Sequence, residues 1–145
     1  MKGIIAFGFF LLFLAGIALV NLKGSKMVPT LGGGAEVTGV RWRPILVGGD
    51  TIPDDSGMFI QFEVDGSIKG HGGCNGFFGS LEQKESGIGV GALGATSMAC
   101  PEPVMSRETT YLDAIQKTRN FDTGSADMRL LDEENEVLAE FVAED

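Results

Sequence analysis

The chain has 145 residues, with 20 acidic against 11 basic side chains and a formal net charge of −9. That length holds one globular domain, and the acidity argues against nucleic acid as a partner, because phosphate backbones would be repelled. One histidine and two cysteines are too few for a metal centre built on nitrogen and sulfur ligands.

The first element is an apolar run, Ile4 to Val20 (IIAFGFFLLFLAGIALV), preceded by Lys2 and followed by Lys23 and Lys26. It has the length of a long signal-peptide core or a short transmembrane helix. Ala18-Leu19-Val20 is a poor small-x-small cleavage site. Leu14-Ala15-Gly16 opens like a lipoprotein box, but Ile17 stands where the acylated cysteine belongs. Residues 1–23 are therefore expected to be an uncleaved membrane anchor, with a cleaved signal peptide as the alternative. The lysines balance across the run and leave its orientation open. Setting aside Lys2, Lys23 and Lys26, the rest carries 8 basic against 20 acidic residues, a charge that supports solubility. Residues 24–36, rich in glycine, read as a flexible linker, and 37–145 as the domain.

The domain opens at Val37 to Trp42, with Trp42 expected in the core. Gly48 to Gly57 reads as a polar loop. Met58, Ile60, Phe62 and Val64 alternate with Phe59, Gln61 and Glu63, the period of a strand. Asp65-Gly66 predicts a type I′ hairpin turn. Ser67 to Cys74 returns antiparallel, with Gly70, Gly72 and Gly73 marking a bulge or a close chain approach. Phe77 to Leu81 is the next strand, Glu82 to Gly87 a charged turn, and Ile88 to Leu93 a short strand.

One helix is predicted over Glu102 to Lys117. Pro101 and Pro103 suit its start and Glu102 the positive end of its dipole. Val104, Met105, Tyr111, Leu112 and Ile115 share one face at about 100° per residue. Strands resume over Asn120 to Asp145, with Met128 to Leu131 and Glu136 to Val142 flanking the turn 132–135. The fold class is α+β: a small, curved, barrel-like antiparallel sheet with one packed helix.

Two cysteines beside an export-type segment suggest an oxidising compartment. A Cys74–Cys100 disulfide is the simplest use of them. Two buried thiols behaving as small hydrophobes are a second use, and a reactive Cys74 with His71 as base a third. His71 alone cannot build a metal site and reads as a solvent-facing residue between glycines. The glycine cluster lacks the following helix and lysine of a phosphate loop. Asn75 reads as a turn-locking residue, with a ligand contact as the alternative. Glu108 falls in the middle of the apolar stripe of the helix, where an unpaired carboxylate is expensive. It is expected to accept hydrogen bonds from the Thr96-Ser97-Met98 loop or nearby backbone and so pin the helix to the sheet. The paired carboxylates at 54–55, 132–134 and 144–145 lack calcium-loop spacing and read as solvated charge.

Gly70, Gly73, Cys74, Asn75, Phe78 and Gly79, followed by Thr96, Met98, Cys100 and Pro101 and then Glu108, form an ordered set. The set resembles that of the META domain family, the HslJ-like heat-shock and envelope proteins. Trp42 and the Asp65-Gly66 turn also fit. The resemblance implies a curved antiparallel sheet with a helix, an envelope location, and an association with heat shock and antibiotic tolerance. It supplies no catalytic residues. Together these readings predict a non-enzymatic, membrane-tethered or exported envelope domain. It would lie in the periplasm or exterior, bind a partner or support envelope integrity under stress, and use no cofactor and no metal. The alternatives are a carrier of a small apolar ligand or lipid, and a thiol-dependent enzyme or redox sensor.

Overall fold

The computed structural model describes residues 37–85, 87–124 and 126–144. The apolar run and the linker lie outside the described residues, as do the readings made for them.

The fold is α+β. Strand β1 is Arg41–Val47 and β2 Asp50–Thr51. Strands β3 (Phe59–Phe62), β4 (Ser67–His71), β5 (Gly76–Lys84), β6 (Gly87–Val90) and β7 (Gly94–Ala95) follow. Helix α1 (Val104–Lys117) precedes β8 (Asn120–Thr123), β9 (Asp127–Leu131) and β10 (Val137–Glu144). All ten strands join one antiparallel sheet in the order β6-β5-β4-β3-β1-β10-β9-β8, with β2 beside β1 and β7 beside β5. The sheet curls far enough for its two ends to approach. A Cβ placed on Gly87 of β6 would stand 2.9 Å from the Arg119 carbonyl at the start of β8. Among the described residues no backbone ladder joins β6 to β8, and the sheet is open.

Alternation decides which side chains enter the concave face. Ile60 and Phe62 of β3, Trp42 of β1 and Phe141 of β10 point inward and are fully buried, next to Met58 just ahead of β3. The buried face of α1, carrying Tyr111, Ala114, Ile115 and Glu108, closes over them. Val104, Met105 and Leu112 lie only at its margin, half-buried. Trp42 donates its indole N–H to the Val37 carbonyl at 3.1 Å, which satisfies the polar end of a ring otherwise surrounded by core. Phe77 and Phe141 both meet Tyr111, at ring-centroid distances of 5.8 and 6.1 Å.

Several local readings are corrected. The β3–β4 connection is not a type I′ turn, since only Gly66 has positive φ. The Gly66 amide donates to the Glu63 carbonyl and the Glu63 amide to the Ser67 carbonyl. The chain thus turns over Val64-Asp65 and closes through a left-handed glycine, the three-residue hairpin loop. Val64 therefore leaves the strand and is 67% exposed. The loop read at 48–57 begins instead with a hairpin, where Val47 pairs with Asp50 across Gly48 and Gly49. Both glycines have positive φ, the type I′ requirement. The charged turn read at 82–87 is mostly strand: β5 runs on to Lys84 and pairs Glu82 with Gly89. The helix starts two residues later than predicted, at Val104. Glu102 lies before it and accepts the Ser106 amide at 3.1 Å.

Gly70 of β4 marks a close approach; the β4 registers run without a shift. A Cβ on Gly70 would stand 2.4 Å from the Phe59 carbonyl and 2.3 Å from the Phe77 ring. Neither a backbone oxygen nor a buried ring can yield cheaply. Gly70→Ala should therefore destabilise by about 3 kcal/mol, measured by denaturant unfolding. A loss below about 0.5 kcal/mol would show that the sheet accommodates the methyl group.

Candidate functional site

Most of the motif residues converge at one end of the sheet, where β4 leaves it and α1 begins. After His71 the chain turns back on itself, and the Gly72 amide donates to the Asn75 carbonyl at 2.8 Å. Gly73 takes φ +105°, a conformation that glycine adopts readily. This turn presents the backbone amides of Cys74 and Asn75 to α1.

Glu108 receives them. Its Oε2 accepts the Cys74 amide at 3.0 Å and the Asn75 amide at 2.6 Å, while its Oε1 accepts the Asn75 side-chain amide at 2.6 Å. Glu108 as a residue is 5% exposed. Burial alone would push its pKa up. The Asn75 side chain, the Asn75 and Cys74 amides and the field of His71 outweigh this and hold it below the ordinary glutamate value of 4.5. Such bonds favour the charged form. Gly72 makes room for the arrangement, since a Cβ there would stand 2.6 Å from Glu108 Cγ and Oε2.

Asn75 carries the connection onward. Its Oδ1 accepts the Thr96 hydroxyl at 2.9 Å and the Met98 amide at 2.6 Å, and its Nδ2 also donates to the Met98 carbonyl at 3.1 Å. Of the two expected donor sources, backbone amides serve Glu108, while the Thr96–Met98 loop is held by Asn75 and not directly by Glu108. Cys74 and Cys100 form a disulfide with a Cα–Cα distance of 6.0 Å. Pro101 follows, and its carbonyl accepts the Val104 amide that opens the helix. Helix, turn and loop are therefore clasped through one carboxylate, one carboxamide and one covalent bond.

Three motif residues lie outside the clasp, Gly70 within β4 being the first. Gly79 of β5 gives way to Leu93, whose Cδ2 would stand 2.6 Å from a Cβ there. Phe78 points outward, 66% exposed, against Gly94 of β7. Met98 is also outward, 58% exposed, although its backbone is held at both ends. His71 is half-buried and its Nδ1 accepts the Gly73 amide at 3.1 Å. Sequence reasoning overlooked the contact of Gly72 with Glu108; its signal was a third glycine in a cluster whose role was read collectively.

The chemical capacity of this arrangement is small. Cys74 has no thiol to ionise. Glu108 has both oxygens committed to donors and a lowered pKa, which makes it a weak proton acceptor or donor near neutrality. Burial drives the Tyr111 phenol well above the ordinary tyrosine value of 10.0, so it remains neutral in the core. No group of three or more potential metal ligands occurs among the described residues.

The lowered pKa of Glu108 makes stability depend on pH. The folded state holds the proton more weakly than the unfolded state does. This contribution is complete above the ordinary glutamate value and is lost as pH falls through the lower folded value. Acidification from pH 6 to pH 3 should depress the melting temperature of the wild-type protein more than that of Glu108→Gln. Parallel curves for the two proteins would remove Glu108 from the acid response.

Comparison with known proteins agrees with this architecture. The family model described as META domain matches residues 35–145. No curated protein matches the chain. A solution structure of a protein from Burkholderia xenovorans is similar at 22% identity and a TM-score of 0.58, covering 74% of this chain and 83% of its own. A second solution structure is similar at 19% identity and a TM-score of 0.56, covering 71% and 87%. A DUF4847 family protein from Bacteroides vulgatus has 14% identity and a TM-score of 0.50, over 73% and 93%. At these identities the likeness concerns the fold.

Proposed function

The chain belongs to the META domain family, and from that premise we propose that it is a non-catalytic, envelope-associated domain that works by binding. It is held at a membrane by residues 1–23 or released from it, with the domain in the periplasm or exterior. One observation carries the reading: the side chains best suited to chemistry are consumed in holding the fold. Cys74 is bonded to Cys100, and Glu108 and Asn75 together take up five amide and hydroxyl donors. What the clasp leaves outward is the Met98 side chain on a backbone that cannot move freely. A pre-ordered apolar side chain is suited to recognition because little entropy is lost on contact. The disulfide supports an oxidising compartment.

The carrier reading has less support. The concave face that would hold an apolar ligand is occupied by α1, Trp42, Phe62, Tyr111 and Phe141. The thiol-enzyme reading needs a free Cys74, which the disulfide removes.

Complementation tests the proposal. A strain lacking the gene should recover growth under heat or antibiotic stress with full-length His71→Ala or Glu108→Gln as fully as with the wild type, at a temperature where each variant is folded. A folded variant that fails to complement would reinstate a catalytic role. Alkylation of the natively expressed protein tests the compartment: no adduct before reduction and two after it are expected. Two adducts without reduction would argue against export.

A further inference from the structure

The first half of α1 carries a second feature, away from the clasp residues. A groove of about 460 Å³ runs between the first half of the helix and the β1–β2 hairpin. The helix contributes Ser106, Arg107 and Thr110, and the hairpin contributes Asp50, Thr51 and Ile52. Gly48 brings the two walls together: it has φ +57°, and a Cβ there would stand 2.9 Å from the Thr110 methyl group.

Arg107 is an exception among the cations. Of the eight lysine and arginine side chains among the described residues, six pair with carboxylates. Arg119 donates to the Gln116 and Thr118 carbonyls. The Arg107 guanidinium has no partner among the described residues, in a chain with a net charge of −9. Asp50 in the same groove is likewise without a partner among the described residues, and the two are not paired with each other. The two hydroxyls that line the same groove have a fixed polarity. Ser106 donates to the Pro103 carbonyl and Thr110 to the Ser106 carbonyl, so toward the groove they offer acceptor lone pairs.

The groove therefore has a planar cation at one point, and a carboxylate with two acceptor hydroxyls at others. We propose that it binds a small zwitterion, an amino acid or short peptide. The ligand carboxylate lies on Arg107 and its ammonium is directed to Asp50 and the hydroxyls. A guanidinium matches a carboxylate through two parallel hydrogen bonds. A dianionic phosphate would meet Asp50 and the acidic surface with the same sign of charge. The volume lies within the range of small-molecule sites. Buried Ile52 and Val47 form an apolar floor that suits a short aliphatic side chain. This site stands independently of the binding role assigned to the Met98 loop.

Amide chemical-shift titration of the full chain in detergent micelles tests the site, with L-alanyl-L-alanine as probe and free L-alanine, acetate and inorganic phosphate as comparisons. Saturable shifts are expected at Thr51, Ser106, Arg107 and Thr110 with the dipeptide or the amino acid. The stronger of the two identifies the ligand's length. Acetate and phosphate should bind about tenfold more weakly or less. Arg107→Ala and Asp50→Asn should each weaken the zwitterion about tenfold, while resonances of the core stay unchanged, because neither side chain supports the fold. The absence of saturable shifts, phosphate binding as tight as the dipeptide, or undiminished binding by Arg107→Ala would each overturn the proposal.

Discussion

Glu108→Ala is expected to destabilise the domain by about 4 kcal/mol, the upper end for a point substitution. The truncation strands three donors at once: the Cys74 amide, the Asn75 amide and the Asn75 side-chain amide. Each lies in a buried turn where water cannot replace the carboxylate, and a stranded buried donor costs about 1–3 kcal/mol. Glu108→Gln should cost about half as much. One carboxamide oxygen can still serve the two backbone amides, but its NH₂ then faces the NH₂ of Asn75. Turning Asn75 over would relieve that clash only by surrendering the Thr96 hydroxyl and the Met98 amide. Denaturant unfolding of the two variants checks the order. Equal and negligible losses would show that the helix does not depend on its carboxylate.

Replacing Cys74 and Cys100 together by alanine should cost about 3–4 kcal/mol. The bond spans a sequence separation of 26, and the constraint it places on the unfolded chain grows with that separation. Asn75 continues to hold Met98 without the disulfide, so the variant should keep its fold while its melting temperature drops. Against a typical domain stability of about 5–15 kcal/mol, the loss is large. Combining it with Glu108→Gln should give a non-additive result, because the Cys74 amide and the Cys74 sulfur belong to one clasp. A double variant within about 0.5 kcal/mol of wild type would mean that the loop is held by its hydrogen bonds alone.

The strands with long, regular alternation were legible in the sequence. Met58, Ile60 and Phe62 announce their burial by period two, and the helix by its stripe of Tyr111 and Ile115. The two-residue strands β2 and β7 were not, because strands of that length carry no period and their existence depends on the neighbour they pair with. Gly48-Gly49 did carry a turn signal, yet the polar residues after it masked the hairpin. Val64 continued the alternation into a turn that the backbone hydrogen bonds of Glu63, Gly66 and Ser67 had already closed.

At the site, the need of Glu108 for a partner was legible from its position on an apolar face. The partner was not, since Asn75 lies 33 residues away and only the sheet topology brings the two together. Asn75 was read as a local turn residue. Its larger role is to pass the contact of the helix on to the Met98 loop. The isolation of Arg107 could not be seen at all, because nothing in a sequence tells which cations find carboxylates.

Backbone hydrogen exchange of the native full chain tests the clasp most directly. The loop from Thr96 to Ala99 is exposed and lies outside every strand, so an unheld loop would exchange as fast as an unfolded peptide. If the carboxamide of Asn75 and the carboxylate of Glu108 hold it to the helix, the amides of Cys74, Asn75 and Met98 should exchange only as slowly as the domain opens. Their protection would then approach that of Ile60 at the centre of the sheet. Fast exchange at Met98 beside a protected Ile60 would contradict the account. It would leave the loop unclasped and the outward Met98 side chain without the order that its proposed role in binding requires.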